Sequence, residues 1–452
     1  MAICLFAGHL VLLAMTPGIN VVSMPFLYAA VLGLYMIGPY ILYLSLGPLG
    51  LVYFRIIDYG YLTGCLPLIM LAIAGFTLGA FGAMAWRGPK KDMYAQRNRI
   101  ISQHSARQRL EVMTAVIALS LIVFSLLIIA AETAAGRGLA PMISGNYHVY
   151  SDARKDGNQS RLFIAAMTWF LPIGSLTYNA VRKHRLRRVG SSDVLLMALL
   201  AIPLIAGDRG GLLATLAGWF IIHQSICRNI GPGKLLLAAA TILVFVPLLE
   251  VMRNLSVADW SLSVMLETVS NLSSSSDKFG GSTLLSLLGP FSPALMTFMG
   301  TLMRVEGGET LRLGTDYIGT MLAAIPLNSG TAPNNSGQIH DYLIPGRKGG
   351  PGFMAIAEMY INFHVPGVAA GHVLLGYVTT RLHRTLSDTR TSAHALAFAG
   401  VLFFALLIWV RNEFTFVTQI CFLWGVLFMV FPFIARSLVP WRKVPRRRLS
   451  DT

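Results

Sequence analysis

Long apolar runs alternate with short polar or basic stretches along almost the whole chain. The runs lie near residues 2–18, 24–46, 60–86, 111–132, 161–181, 192–206, 211–224, 235–252, 367–381, 395–410 and 415–435. A helix needs about 20 apolar residues to cross hydrocarbon, or somewhat fewer where flanking residues snorkel. The pattern predicts an all-α polytopic membrane protein with about 11 transmembrane helices. The runs near 192–206 and 211–224 are short and together suit a tight helical hairpin. Gly75 and Gly79 place small residues four apart on the third run, a face that favours close helix packing. Residues 2–16 lack a basic leader segment and the apolar pattern resumes almost at once, so the first run is expected to be a retained span.

One interval breaks the rhythm. Residues 253–366 open with Asn271, Ser273 to Ser276, Asp277 and Lys278, then turn apolar, interrupted by Gly289-Pro290 and Ser292-Pro293. Residues 282–303 could imitate a span, but a crossing there would carry the Arg381–Arg390 cluster to the opposite side. Short interfacial or re-entrant helices are expected instead. A Gly/Asn-rich stretch, Asn328 to Gly352, follows, and then a short helix, Phe353 to Asn362, leads into the next run. The division expected is 1–252 with about eight spans, 253–366 as one large loop, and 367–452 with about three spans and a basic tail. A loop of that length without the composition of a soluble domain is usually functional.

Composition agrees with the pattern: 55% of residues are hydrophobic and 12% charged, against about 25% charged in soluble domains. The net charge of +16 would suit a nucleic-acid binder, but its distribution excludes that class. Arg87–Arg109, Arg182–Arg188, Arg228–Lys234, Arg381–Arg390 and Arg436–Arg448 hold 23 of the 36 Lys and Arg residues, and all fall on one side if each run crosses once. The positive-inside rule makes that side the cytoplasm. The excess is topological and implies contact with anionic headgroups. The four cysteines, Cys4, Cys65, Cys227 and Cys421, are too scattered for a disulfide framework or zinc site.

Three places carry candidate chemistry. Gly207-Asp208-Arg209-Gly210-Gly211 lies between two runs at the non-cytoplasmic end. Arg209 at a helix N-terminus, beside glycines that let an anion approach the backbone, suits a pyrophosphate cradle. The plain alternative is a turn in which Asp208 caps the helix and pairs with Arg209. Arg411-Asn412-Glu413 is a second charged turn at the same end, facing either a cavity or, as a snorkelling arginine, the interface. The loop end gathers His340, Asp341, Tyr342, Arg347, Lys348 and Glu358, with Asn362 four residues beyond Glu358 on the same helical face. A carboxylate there could act as general base on a sugar hydroxyl, or merely pair locally. His9 and His372 are expected to be helix-packing hydrogen-bonders. No motif for a metal, ATP or a serine nucleophile is present at a useful place, so no cofactor is expected.

The order of four stretches resembles the bacterial O-antigen polymerases, the Wzy-type oligosaccharide repeat-unit polymerases. They are Ala206 to Gly210; Leu313-Gly314-Thr315-Asp316-Tyr317 with Met321 to Pro326; Gly349 to Phe353 with Glu358 to Phe363 and Pro366-Gly367; and Trp409 to Glu413. Unlike many members, the chain follows Ile325-Pro326 with Leu327-Asn328-Ser329 rather than an arginine or tryptophan. The resemblance implies a GT-C-like architecture in the bacterial inner membrane, with the N-terminus and large loop periplasmic and the C-terminus cytoplasmic. It implies glycosyl transfer between a glycan on undecaprenyl pyrophosphate and a lipid-linked repeat unit, with a chain-length regulator as a candidate partner. Arg209 and Arg411 would neutralise pyrophosphate. Glu358, or alternatively Asp341 or His340, would act on the acceptor hydroxyl. Asp208, His340, Asp341, Tyr342, Arg347 and Glu413 would line the substrate site. An O-antigen ligase and a lipid-linked oligosaccharide flippase are the competing expectations.

Overall fold

The computed structural model describes residues 2–46, 59–86, 93–144, 160–186, 190–206, 208–227, 292–324, 334–345, 352–387 and 392–430, with isolated positions at 231, 233, 261, 263–264 and 267. All regular structure among them is helical. In chain order the helices are α1 (Ala2–Met15), α2 (Met24–Leu46), α3 (Tyr59–Ala85), α4 (Met93–Ala134), α5 (Ala140–Ser144), α6 (Arg161–Leu186) and α7 (Ser191–Ile205). Then come α8 (Arg209–Cys227), α9 (Ser292–Glu306), α10 (Thr315–Ala323), α11 (Asn335–Leu343), α12 (Ala355–Ser387), α13 (Ala393–Trp409) and α14 (Thr415–Val430).

Five helical stretches among the described residues are long and apolar enough to cross a membrane: Met24–Leu44, Gly60–Ala85, Leu110–Ala134, Arg161–Leu186 and Gly210–Cys227. Four more expected spans coincide with shorter apolar helices, Phe6–Met15, Ser191–Ile205, Ala393–Trp409 and Thr415–Val430. The expected span at 235–252 lies outside the described residues, and that at 367–381 falls within α12.

Small residues set the closest packing. A Cβ on Gly79 would overlap the Val373 carbonyl, and one on Gly376 would overlap the Phe76 carbonyl, so α3 and α12 touch backbone to backbone in both directions. This is the contact the Gly75/Gly79 face predicts. Gly218 of α8 likewise approaches the Gly400 carbonyl of α13 at 2.8 Å from its ideal Cβ position. In α6 the π turn Ala166–Phe170 precedes Pro172, whose missing N–H leaves a carbonyl one turn back without its helical donor.

α12 contains the expected short helix and the expected span, separated by a break at His364 (φ 56°, ψ −150°). Pro366 cannot donate to the preceding turn, which explains why the helix cannot run straight through. The apolar stretch before it, α9, is buried from Ala294 to Leu302 and packs against α2, α3, α11 and α12. Enclosure on all sides makes it an inserted element rather than one lying on a surface.

The basic end of the bundle differs from a simple headgroup-facing charge cluster. Lys183 is buried, pairs with Asp193 and meets His223 Nδ1 at 2.8 Å. Asp193 also accepts from Asn179 Nδ2 (3.1 Å), Trp219 Nε1 (2.6 Å) and the Gly190 N–H (3.0 Å). The pair is compensated on every side, as a buried charge requires. His9 and His372 bond Thr77 Oγ1 (2.6 Å) and the Val368 carbonyl (2.8 Å).

Candidate active site

Glu358 sits in the first turn of α12 and is fully buried. Its Oε2 accepts the Trp409 indole N–H at 2.8 Å and the Phe414 backbone N–H at 2.9 Å. Phe414 stands at the N-terminus of α14, where backbone donors have no intrahelical acceptor and the field is positive. The carboxylate therefore bridges the end of α13 and the start of α14. Among the described residues its other oxygen, Oε1, is buried with no hydrogen-bond partner. Burial pushes the carboxyl up to about 8, against the opposing pull of the Trp409 and Phe414 donors, with Glu413 and Asp316 adding to the rise. The proton of the neutral acid then belongs on Oε1, since two donors already occupy Oε2.

Arg411 lies in the turn between those two donors. Its carbonyl accepts the Phe353 N–H at 2.6 Å, which ties the turn to the segment entering α12. Gly352 has φ of +96°, and a Cβ there would lie 2.9 Å from Arg411 Cγ, so only glycine lets the arginine stem cross that strand of chain. Among the described residues no acceptor is hydrogen-bonded to the Arg411 guanidinium. Glu413 turns the other way. Its Oε1 accepts the Ser336 N–H at 2.8 Å, capping α11, and burial raises its carboxyl despite that bond.

A polar network locks the same region from the loop side. Arg312 Nη1 holds Asp316 at 3.1 Å and also bonds Asn335, while Nη2 reaches Gln338 at 2.8 Å. Asp316 accepts from Asn335 (3.0 Å) and Asn362 (3.1 Å), and Asn362 Nδ2 also bonds the Glu358 carbonyl at 2.9 Å. The N–H groups of Arg312 and Leu313 bond the carbonyls of Ile361 and Asn362. Tyr317 stacks on Phe363 (6.1 Å) and meets Phe414 edge-on (5.2 Å). α10, α11, the start of α12 and the α13–α14 turn thus form one enclosure around Glu358.

The other expected residues are distributed as follows. His340 is buried on α11, and its carbonyl caps that helix through Ile344 N–H. Asp341 and Tyr342 are exposed, with the Arg304 guanidinium 5.9 Å from the Tyr342 ring centre. Arg347 lies outside the described residues. Asp208 caps α8 through the Gly211 N–H at 3.0 Å. Arg209 opens α8, and its position follows from helix register. His184 meets Glu111 (3.6 Å), Thr114 meets His394 (2.6 Å) and Lys183 meets His223, so these contacts mark the basic end of α4, α6, α8 and α13. Gly218 and Gly400 cross at mid-helix. Nine residues beyond that crossing, on the side opposite the basic end and about 13 Å of rise away, α8 reaches Arg209 and α13 reaches Trp409. Both candidate arginine turns therefore stand at the same end of the bundle.

Residues 331–441 match the family described as O-antigen polysaccharide polymerase Wzy. Over this segment the chain is similar to the Wzy-type O-antigen polymerases. The Wzy match spans Glu358, Trp409, Arg411, Glu413, Phe414, Asn335 and Asn362, whereas Arg312 and Asp316 precede it. No curated protein and no solved structure matches the chain. Among the described residues no group of three or more His, Cys, Asp or Glu is placed to hold a metal. Arg312 escaped the sequence reading: its partners lie 4, 23 and 26 residues away, and only the fold assembles them.

Proposed function

We propose that this protein joins lipid-pyrophosphate-linked oligosaccharide repeat units into a surface polysaccharide at the periplasmic face of the bacterial inner membrane. One observation carries the reading. Within the Wzy-matched segment, a buried carboxyl has one oxygen clamped by two donors and the other unpartnered among the described residues, with an arginine turn between those donors. In the ionised form Oε1 of Glu358 takes the proton of an acceptor hydroxyl as that oxygen attacks the anomeric carbon of the donor sugar. The bond from that carbon to the pyrophosphate oxygen breaks, and the lipid pyrophosphate leaves with the electron pair. That leaving group needs charge neutralisation more than protonation, which Arg411, and Arg209 at the same end of the bundle, would supply. The wider organisation belongs to the same proposal: about 11 spans, the N-terminus and the loop 253–366 periplasmic, and the C-terminus cytoplasmic. Its support is the one-sided distribution of basic stretches.

The test is polymerisation of purified lipid-linked repeat units, read as a ladder on a gel. The parent protein should extend units with no other acceptor present. Glu358→Gln should lower the rate by about 10²-fold or more, and Arg411→Ala and Arg209→Ala should shorten or abolish the ladder at unchanged protein levels. A full ladder from Glu358→Gln would remove Glu358 from the chemistry, and full ladders from both arginine variants would remove the pyrophosphate assignment.

A further inference from the structure

Helix α10 is amphipathic the wrong way round for a helix at a water-facing surface. Asp316 and Thr320 point inward and are buried, Thr315 at the first position is exposed, and Ile318 (59%), Met321 (56%) and Leu322 (48%) are exposed. Leu313, just before the helix, is 73% exposed on the approach to it. Positions 318, 321 and 322 follow the i, i+3, i+4 spacing and form one outward stripe. A helix bordering water places its apolar stripe inward and its polar residues outward. Here the inward side is held by ionic and amide bonds, through Arg312, Asn335 and Asn362, and the outward side offers no charge.

The neighbouring element identifies what covers that stripe. α10 packs on α14, where Thr418 Oγ1 donates to the Thr320 carbonyl at 3.4 Å. Farther along α14, Phe422, Val426 and Met429 are also exposed. α14 is an apolar helix that starts at the Glu358 end. Phe422, Val426 and Met429 follow Thr418 at helical spacing on the side of α14 that meets α10, so the exposed apolar residues of the two helices adjoin.

We infer that α10 lies in the bilayer, with Ile318, Met321 and Leu322 buried among lipid chains of the leaflet on the Glu358 side. The same helix is a wall of the Glu358 enclosure, through Tyr317 between Phe363 and Phe414. The enclosure is therefore bounded on one side by lipid rather than water, and its level in the membrane is that of the headgroup–chain boundary. This inference concerns the lipid contact and does not depend on the chemistry assigned to Glu358.

The experiment places an environment-sensitive fluorophore on Ile318→Cys, and separately on Met321→Cys. Both are made in a full-length chain with Cys4, Cys227 and Cys421 changed to alanine and reconstituted in liposomes. A reporter on Met429→Cys marks the lipid-facing limit, and one on Gln338→Cys, exposed on α11, marks the water-facing limit. Tail-brominated lipids should quench the 318 and 321 reporters at least half as strongly as the 429 reporter. Aqueous iodide should quench them several-fold less than the 338 reporter. Strong iodide quenching without bromolipid quenching would overturn the inference in favour of a water-facing helix. Resistance to both quenchers would overturn it in favour of cover by protein. Two sites are used so that a label that displaces α10 at one is exposed by disagreement with the other.

Discussion

At the residue scale, the protein concentrates its unusual chemistry in Glu358. A buried carboxyl held up to about 8 is largely neutral at pH 7. If the ionised form is the base, activity should rise with pH and level off above about 8. The same shift has a stability consequence. Because the folded value lies above the unfolded one, the favourable contribution is complete below the unfolded carboxylate range and is lost as pH rises through the folded value. Glu358→Gln mimics the neutral acid and escapes that loss. Its stability relative to the parent should therefore improve by about 2–3 kcal/mol between pH 6 and pH 9, read as a widening gap in unfolding temperature. A gap that stays constant with pH would show that Glu358 does not titrate in that window. Asp208 at this scale is a helix cap, whatever Arg209 beside it does, since its side chain accepts the Gly211 N–H.

At the element scale, glycine contacts decide which helices can be neighbours. Gly79 and Gly376 bring α3 and α12 together with no side chain between them, and this pairing fixes the helix that carries Glu358 against the rest of the bundle. Overpacking an ordinary core position costs about 1–3 kcal/mol. Here the clash is with backbone, which cannot rotate aside. Gly79→Leu should therefore cost at least about 3 kcal/mol and sharply reduce the yield of folded protein on size-exclusion chromatography. Gly82→Leu, three residues on and open to at least 4 Å, should leave the yield unchanged. Equal behaviour of the two variants would contradict the packing account. The break in α12 belongs to this scale too. Tyr360 and His364 meet at 2.9 Å across it, so the strained His364 backbone is held by a local contact as well as by Pro366.

At the scale of the whole molecule, charge and burial act on different ends. The basic stretches mark one end, while Glu358 and both arginine turns mark the other. The proposed topology makes a direct prediction. A compartment-sensitive reporter enzyme fused after Gly346 should report the periplasm, and one fused after Arg390 should report the cytoplasm. The reverse pattern, or the same side for both, would mean an odd number of crossings has been misplaced. α9 is the element on which this turns, because its apolar composition imitates a span while protein, rather than lipid, surrounds it.

The sequence by itself determined the helical class, because runs of apolar residues in lipid leave the backbone no other partner than its own helix. It also located the Gly75/Gly79 face, the helix that carries Glu358, and the two arginine turns, since each is local in the chain. It did not reveal which oxygen of Glu358 is clamped, because the clamping donors, Trp409 and Phe414, are 51 and 56 residues away. It did not separate the buried Lys183 from the other lysines and arginines of its basic stretch, because its partners Asp193 and His223 come from two other helices. Tertiary structure decided those points for one physical reason. Burial and hydrogen bonding set the properties of an ionisable group, and both depend on neighbours that only the fold brings near.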